Sequence, residues 1–277
     1  MNRDVLARIA FRSTFVMSAA FLLAPLIVLI VFSFNADRFP SLPWKGFTLG
    51  WYGEFYEDAS LHDALARSCI VAAAAALVSV VLGFVAAYGV RHWPGPRAHL
   101  LVGFIFFPCF LPYFLLGMAT AVYFSFLGIG GGLVPVILIH VVVCAPIAFA
   151  VIRIRLEDIS RDIEEAAVNL GAGHGRLIWE VILPGSRTAL VGAFLLAFAF
   201  SWNEFLISWF HSGFQSTLPV AIWSMVRAAI SPEINAIGAL VFLTSIVLVS
   251  TGYFIALAPA RRRTAGRTRN TVLSTET

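Results

Sequence analysis

Charge is scarce in this sequence. Asp, Glu, Lys and Arg make up 12% of its 277 residues, and hydrophobic types make up 60%. A soluble domain carries about 25% charged residues and under half apolar ones. Lysine is almost missing: Lys45 stands alone, and there is no Gly-x4-Gly-Lys-Ser/Thr segment. That excludes a phosphate-cradling loop of this type, so the chain is not expected to bind ATP by itself. Cysteine is sparse as well. Cys69, Cys109 and Cys144 lie far apart within apolar runs. Buried apolar side chains are therefore expected rather than a disulfide or a metal site. The six His are scattered, and no cluster of His, Cys and carboxylates or Ser/His/Asp set stands out. An enzyme reading has no footing, and no cofactor or metal of the chain's own is expected. The net charge of +4 does not gather on a face, which argues against a nucleic-acid partner.

What is abundant is unbroken hydrophobic sequence. About 20 apolar residues cross a hydrocarbon layer of about 30 Å, and six stretches qualify: Thr14 to Phe34, Ser68 to Val90, Leu100 to Phe126, Leu133 to Ile152, Ala189 to Phe210 and Ala236 to Ala258. In lipid each backbone N–H must find a partner within its own segment, so helices are expected. The fold class is all-α and integral to a membrane, with six transmembrane helices. The first stretch is longer than a signal-peptide core of about 7–15 residues and reads as an uncleaved anchor. Fifteen of the nineteen basic residues fall at the N-terminus, after spans two and four, and in the tail. By the positive-inside rule these parts, and both termini, face the cytoplasm. The expected organisation is a cytoplasmic segment over 1–13, a transmembrane domain over 14–258 and a basic, polar, disordered tail over 259–277. Arg67 and Arg227 read as snorkelling anchors. Pro108, Pro112, Pro135 and Pro146 are expected to kink spans three and four.

The stretch over 153–188 is too patterned for a linker. Leu156, Ile159, Ile163, Ala166, Ala167 and Leu170 recur at helical spacing and suggest an apolar stripe. Asp162, Glu164 and Glu165 suit the start of a helix. Gly171 and Gly173 supply a stop. A second short helix carries Leu177, Ile178, Val181 and Ile182 and is expected to end at Pro184-Gly185. An acidic, Ala-rich helix is poorly suited to lie on lipid, where Lys and Arg flanks are favoured. A protein partner is the better expectation.

Glu165-Ala166-Ala167, three residues, Gly171, nine residues, then Val181-Ile182-Leu183-Pro184 resembles the EAA loop of ABC importer permeases, E-A-A-x3-G-x9-I-x-L-P, with Val181 where Ile is usual. The resemblance spans nearly the whole chain. It implies a type I importer transmembrane domain in the bacterial inner membrane, with an EAA loop at about 156–185 that forms a coupling helix. Glu165, Ala166, Ala167, Gly171, Val181, Leu183 and Pro184 would carry the coupling to an ABC ATPase subunit, which holds the ATP. It also implies a second permease subunit, expected to be a homologue, and a periplasmic solute-binding protein that meets the outer loops. Ser33-Phe34-Asn35, Gly46-Phe47-Thr48, Trp51-Tyr52 and Leu218-Pro219, with Ser224-Met225-Val226 and the run over 231–236, resemble the spermidine/putrescine permease branch. Ser201-Trp202-Asn203-Glu204-Phe205 is also similar to sugar permeases, so a sugar or an amino-acid derivative stays open as substrate.

Glu204 falls inside the fifth expected span. A carboxylate there costs roughly 2.5–3.5 kcal/mol on insertion scales and should face protein or water. Glu204, Trp202 and Asn203 are candidates to line a path, since a carboxylate among aromatics suits a polyamine. Pairing of Glu204 at a subunit interface, or a position near the outer headgroups, is the alternative. An ion-coupled secondary transporter would need more intramembrane titratable groups and internal repeats; neither is visible.

Overall fold

The computed structural model describes residues 3–37, 43–93, 95–228 and 232–273. Its helices are α1 (Arg3–Phe32), α2 (Gly50–Glu57), α3 (Ala59–His92), α4 (Pro96–Phe106), α5 (Tyr113–Phe126), α6 (Leu133–Glu157), α7 (Arg161–Asn169), α8 (His174–Arg176), α9 (Leu183–Asn203), α10 (Leu206–His211), α11 (Leu218–Ala228) and α12 (Pro232–Leu273). Among the described residues the only extended pairing is an isolated bridge between Asn35 and Phe47. Five helices among the described residues are long and apolar enough to cross a bilayer, and a sixth span arises if α4 and α5 are taken together.

Two departures from the expected spans, and one in the tail, have local causes. Span three is not one helix: α4 and α5 meet at 104°. Pro108 sits in a tight 3-10 turn (Phe107–Phe110), and Pro112 opens α5. Proline lacks an N–H and clashes with a preceding carbonyl, and it pushes Leu111 before it into extended backbone, ψ 135°. Span five ends early, at Asn203, and reaches back without interruption through a π-helical turn (Leu177–Ile182) to His174. Pro184 therefore does not stop a separate helix. It lies in the first turn of α9, where a missing N–H costs least, and the wider π turn before it absorbs the mismatch. The backbone after Pro259 is helical as far as Leu273, where the composition suggested disorder; a helix once nucleated propagates cheaply. Residue 231 and the last four residues lie outside the described part of the chain.

The chain divides into two compact units, residues 1–63 with 221–244 and residues 64–220 with 245–277. In the first, the loop after α1 is tied by its own polar groups. Ser33 Oγ pairs with Tyr52 Oη at 2.7 Å, Trp51 Nε1 donates to the Asn35 carbonyl at 2.8 Å, and Thr48 N–H donates to the Phe34 carbonyl at 2.9 Å. The three short motifs noted in this loop thus form one hydrogen-bonded knot.

The second unit is organised around α6, whose apolar stretch is 61% buried. Phe149, Ile152 and Leu156 of α6 form a core with Ala87, Leu177, Ile182 and Ala193. Nearer the other end of α6, Ile139, Val143 and Cys144 pack with Ala76, Leu116, Ala197 and Ile207. Cys144 is buried as expected, but Cys69 and Cys109 are exposed. An apolar side chain in a membrane span has no need to face inward. Small residues set the spacing between helices: a Cβ on Gly83 of α3 would lie 2.8 Å from the backbone nitrogen of Phe149.

That contact yields a prediction. Gly83→Ala should lower the thermal stability of the detergent-purified protein by about 1–3 kcal/mol, because it overpacks against rigid backbone. Gly103→Ala, whose added methyl would meet open space, should leave it unchanged or slightly raised.

Candidate functional site

The elbow between α6 and α9 and the break after α9 are the candidate sites among the described residues. Ser160 caps α7: its Oγ accepts from Asp162 N–H at 3.2 Å. Asp162 and Glu164 in the first turn complement the helix dipole. At the far end, Gly171 adopts φ +88°, and Ala172 N–H reaches back to the Ala167 carbonyl at 3.0 Å. This left-handed closure is one that glycine makes at no steric cost.

The expected apolar stripe is divided. Leu156 and Ile159 are core residues, whereas Ile163 and Leu170 are exposed, Leu170 to 89%. The turn over 158–160 breaks the helical register, so residues before and after it do not share a face. The motif residues divide too. Ala167 and Val181 pack against the α6 core, and Leu183 is half-buried. Glu165, Ala166, Gly171 and Pro184 are exposed. Around them lie Ile163, Val168, Leu170 and Trp179, all more than half exposed. The outcome is an exposed apolar and acidic surface on an anchored elbow. Glu164, singled out only as one of three acids, is instead buried against Arg91 and His92.

The second place is the break after α9. Glu204 is extended (φ −75°, ψ 120°). Its carboxylate accepts the Ile207 N–H at 3.2 and 3.4 Å, which caps α10. Asn203 donates to the Ala199 carbonyl at 2.7 Å and pairs with Ser245. Glu204 and Asn203 line a groove of about 610 Å³ with Tyr113, Phe200, Phe205 and Leu206. Trp202 does not join them. It is buried and stacks on Phe198, 6.1 Å between ring centres. A network unread in the sequence holds α10 in place. His140, fully buried in α6, hydrogen-bonds Ser201 at 2.7 Å and Ser208 at 2.9 Å. Ser208 also donates to the Glu204 carbonyl, and His211 pairs with Thr120. The available signal was a lone His in an apolar run, which by itself resembles any satisfied buried histidine.

Comparison with known proteins places this geometry. Residues 79–263 match the family described as binding-protein-dependent transport system inner membrane component. The chain belongs to this family. The permease fold is shared with solved structures: a bacterial ABC transporter that imports the acidic polysaccharide alginate (TM-score 0.69, 13% identity, covering 92% of this chain and 96% of that one) and an amino acid ABC transporter (TM-score 0.57, 16% identity, 76% and 99%). Curated relatives include the spermidine/putrescine permease PotC of Haemophilus influenzae, 31% identical over 83% of this chain and 90% of that protein. Another is the putrescine permease PotI of Escherichia coli K12, 33% identical over 87% and 89%. The chain is thus an ABC importer permease, a non-catalytic, multi-spanning component of the inner membrane that works with an ATPase and a binding protein.

The His140 network is testable apart from transport. His140→Phe should lower thermal stability by about 1–2 kcal/mol, the scale of hydrogen bonds between membrane helices. Differential scanning of the purified protein checks it; an unchanged melting temperature would contradict the bracing role.

Proposed function

We propose that this permease carries polyamines such as spermidine and putrescine, and that α7 with the following turn is the coupling helix that docks on the ATPase. The supporting observation is the exposure of Glu165, Ala166 and Gly171 on a braced elbow, at the motif position that the family resemblance assigns to coupling. The basic residues at the elbow, at the termini and after α3 set this side in the cytoplasm. A homologous second permease completes the path. Val181 and Ala167 serve by holding the elbow to α6, while Leu183 and Pro184 open the helix that leads into the membrane.

The polyamine assignment draws on the names of relatives at 31–33% identity and on the groove. Its walls are aromatic and apolar apart from Asn203 and Glu204. A polyamine offers ammonium groups separated by methylenes, and such a surface serves both parts. Asn203 and Glu204 are the proposed path residues. Trp202 shapes the turn from behind through its stack on Phe198.

Two experiments test this reading. Glu165→Lys and Gly171→Asp should cut uptake about tenfold or more, equivalent to roughly 1.4 kcal/mol of docking free energy. Both variants should still insert in the membrane but retain less ATPase on purification. Normal uptake with full ATPase retention would remove the coupling assignment. Glu204→Gln keeps an oxygen to cap α10 and removes the charge. It should lower spermidine uptake about tenfold or more, since a bond to a charged group contributes about 1.5–3 kcal/mol. Unchanged spermidine uptake in this variant would remove Glu204 from the path; transport of a neutral sugar in place of spermidine by the unaltered protein would overturn the polyamine reading.

A further inference from the structure

Glu164 differs from the other acids of α7. Asp162 and Glu165 are exposed, whereas the Glu164 side chain is only 10% exposed. Its Oε1 lies 2.5 Å from Arg91 Nη2 and its Oε2 lies 2.8 Å from His92 Nε2. Arg91 and His92 form the last turn of α3. The same Arg91 Nη2 donates to the Ile159 carbonyl, in the turn before α7, at 2.7 Å. His92 Nδ1 lies 2.9 Å from the Tyr88 carbonyl, and the two rings are 4.0 Å apart. From the other side, Arg161 reaches the Arg91 carbonyl at 3.4 Å.

The arrangement suits both helices. The Arg91 guanidinium at the end of α3 and the Glu164 carboxylate at the start of α7 each complement a helix dipole. An ion pair between side chains as buried as those of Glu164 and Arg91 is little screened by salt. Simple adhesion does not explain them, since an apolar cluster of the same volume would hold as well or better. What paired charges add is a defined register between two elements. The chain itself joins α7 to α6 and, through the elbow, to α9. It does not join α7 to α3.

We propose that Glu164 is a positioning residue that yokes the coupling helix to the last turn of α3. Movement of α7 then carries the end of α3 with it, and with α3 the Gly83 contact on α6. This rests on α7 being the ATPase contact. The outward Glu165 face would receive the push, and the inward Glu164 would pass it on.

The test uses the complete transporter in liposomes, with its ATPase, second permease and binding protein. Substrate uptake and ATP hydrolysis are measured together for Glu164→Gln, Arg91→Gln and the double variant. The double variant leaves neither of the two charges buried without its partner, so it guards against loss of fold. The ATPase should stay bound and active. Uptake per ATP should fall by roughly 5- to 150-fold, the usual range of coupling between sites. The double variant should be no worse than the poorer single one, because both break one link. A normal ratio in Glu164→Gln would overturn the yoke, as would effects of the two single changes that simply multiply. Loss of the ATPase from the purified Glu164→Gln complex would also overturn it, making Glu164 a support of docking instead. Failure of the coupling-helix reading itself would appear elsewhere, as full ATPase retention by Glu165→Lys.

Discussion

A peptide group in hydrocarbon has no water to bond, and this single constraint shapes the molecule. Where the chain is apolar it is helical, because only a helix satisfies each N–H and C=O within its own segment. Where the chain breaks, other groups must supply the missing partners. The break at Glu204 shows how. The glutamate's own carboxylate takes the Ile207 N–H, Ser208 returns a hydroxyl to the Glu204 carbonyl, and His140 holds the serines. Beyond α10, Gly132 N–H donates to the His211 carbonyl at 2.8 Å. Irregular backbone is present in the apolar region, and it is bonded to protein.

The same constraint explains why polar side chains gather at so few points. Charge in the apolar stretches is expensive, so Glu204 is placed where it both caps a helix and faces a groove. Outside the hydrocarbon the restriction lifts, and the elbow can display acids and apolar groups together. One face of α7 is spent on attachment, through Glu164 and Ala167. The other stays open. A helix that is anchored on one side and free on the other can transmit force.

Much of this was legible in the sequence, and the gaps have physical causes. Spans are readable because twenty apolar residues in succession have one main use, and four of the six fell close to their observed positions. Two differed, at prolines and, for span five, also at the break after Asn203. Pro108 and Pro112 are close enough together to turn a helix, whereas Pro184 is absorbed by a π turn that residue type does not signal. The elbow motif was visible as spacing. Its facing was not, because periodicity assumes an unbroken helix and the register breaks at Ile159. Burial of Glu164 and of His140 depends on residues 72 and more than 60 positions away, and no local pattern contains that information. Cys69 and Cys109, expected to be buried, are exposed because in lipid the outside of a helix is as apolar as the inside.

The central claim is that α7 meets the ATPase on the cytoplasmic side. Ala166→Cys, made in a background where the three native cysteines are replaced, gives a direct measurement in intact cells and in purified transporter. A membrane-impermeant maleimide applied to intact cells should leave this position unlabelled. A short bifunctional reagent in the assembled complex should join it to the ATPase subunit. Labelling from outside the cell, or a complex that holds the ATPase yet never cross-links at this position, would contradict the account.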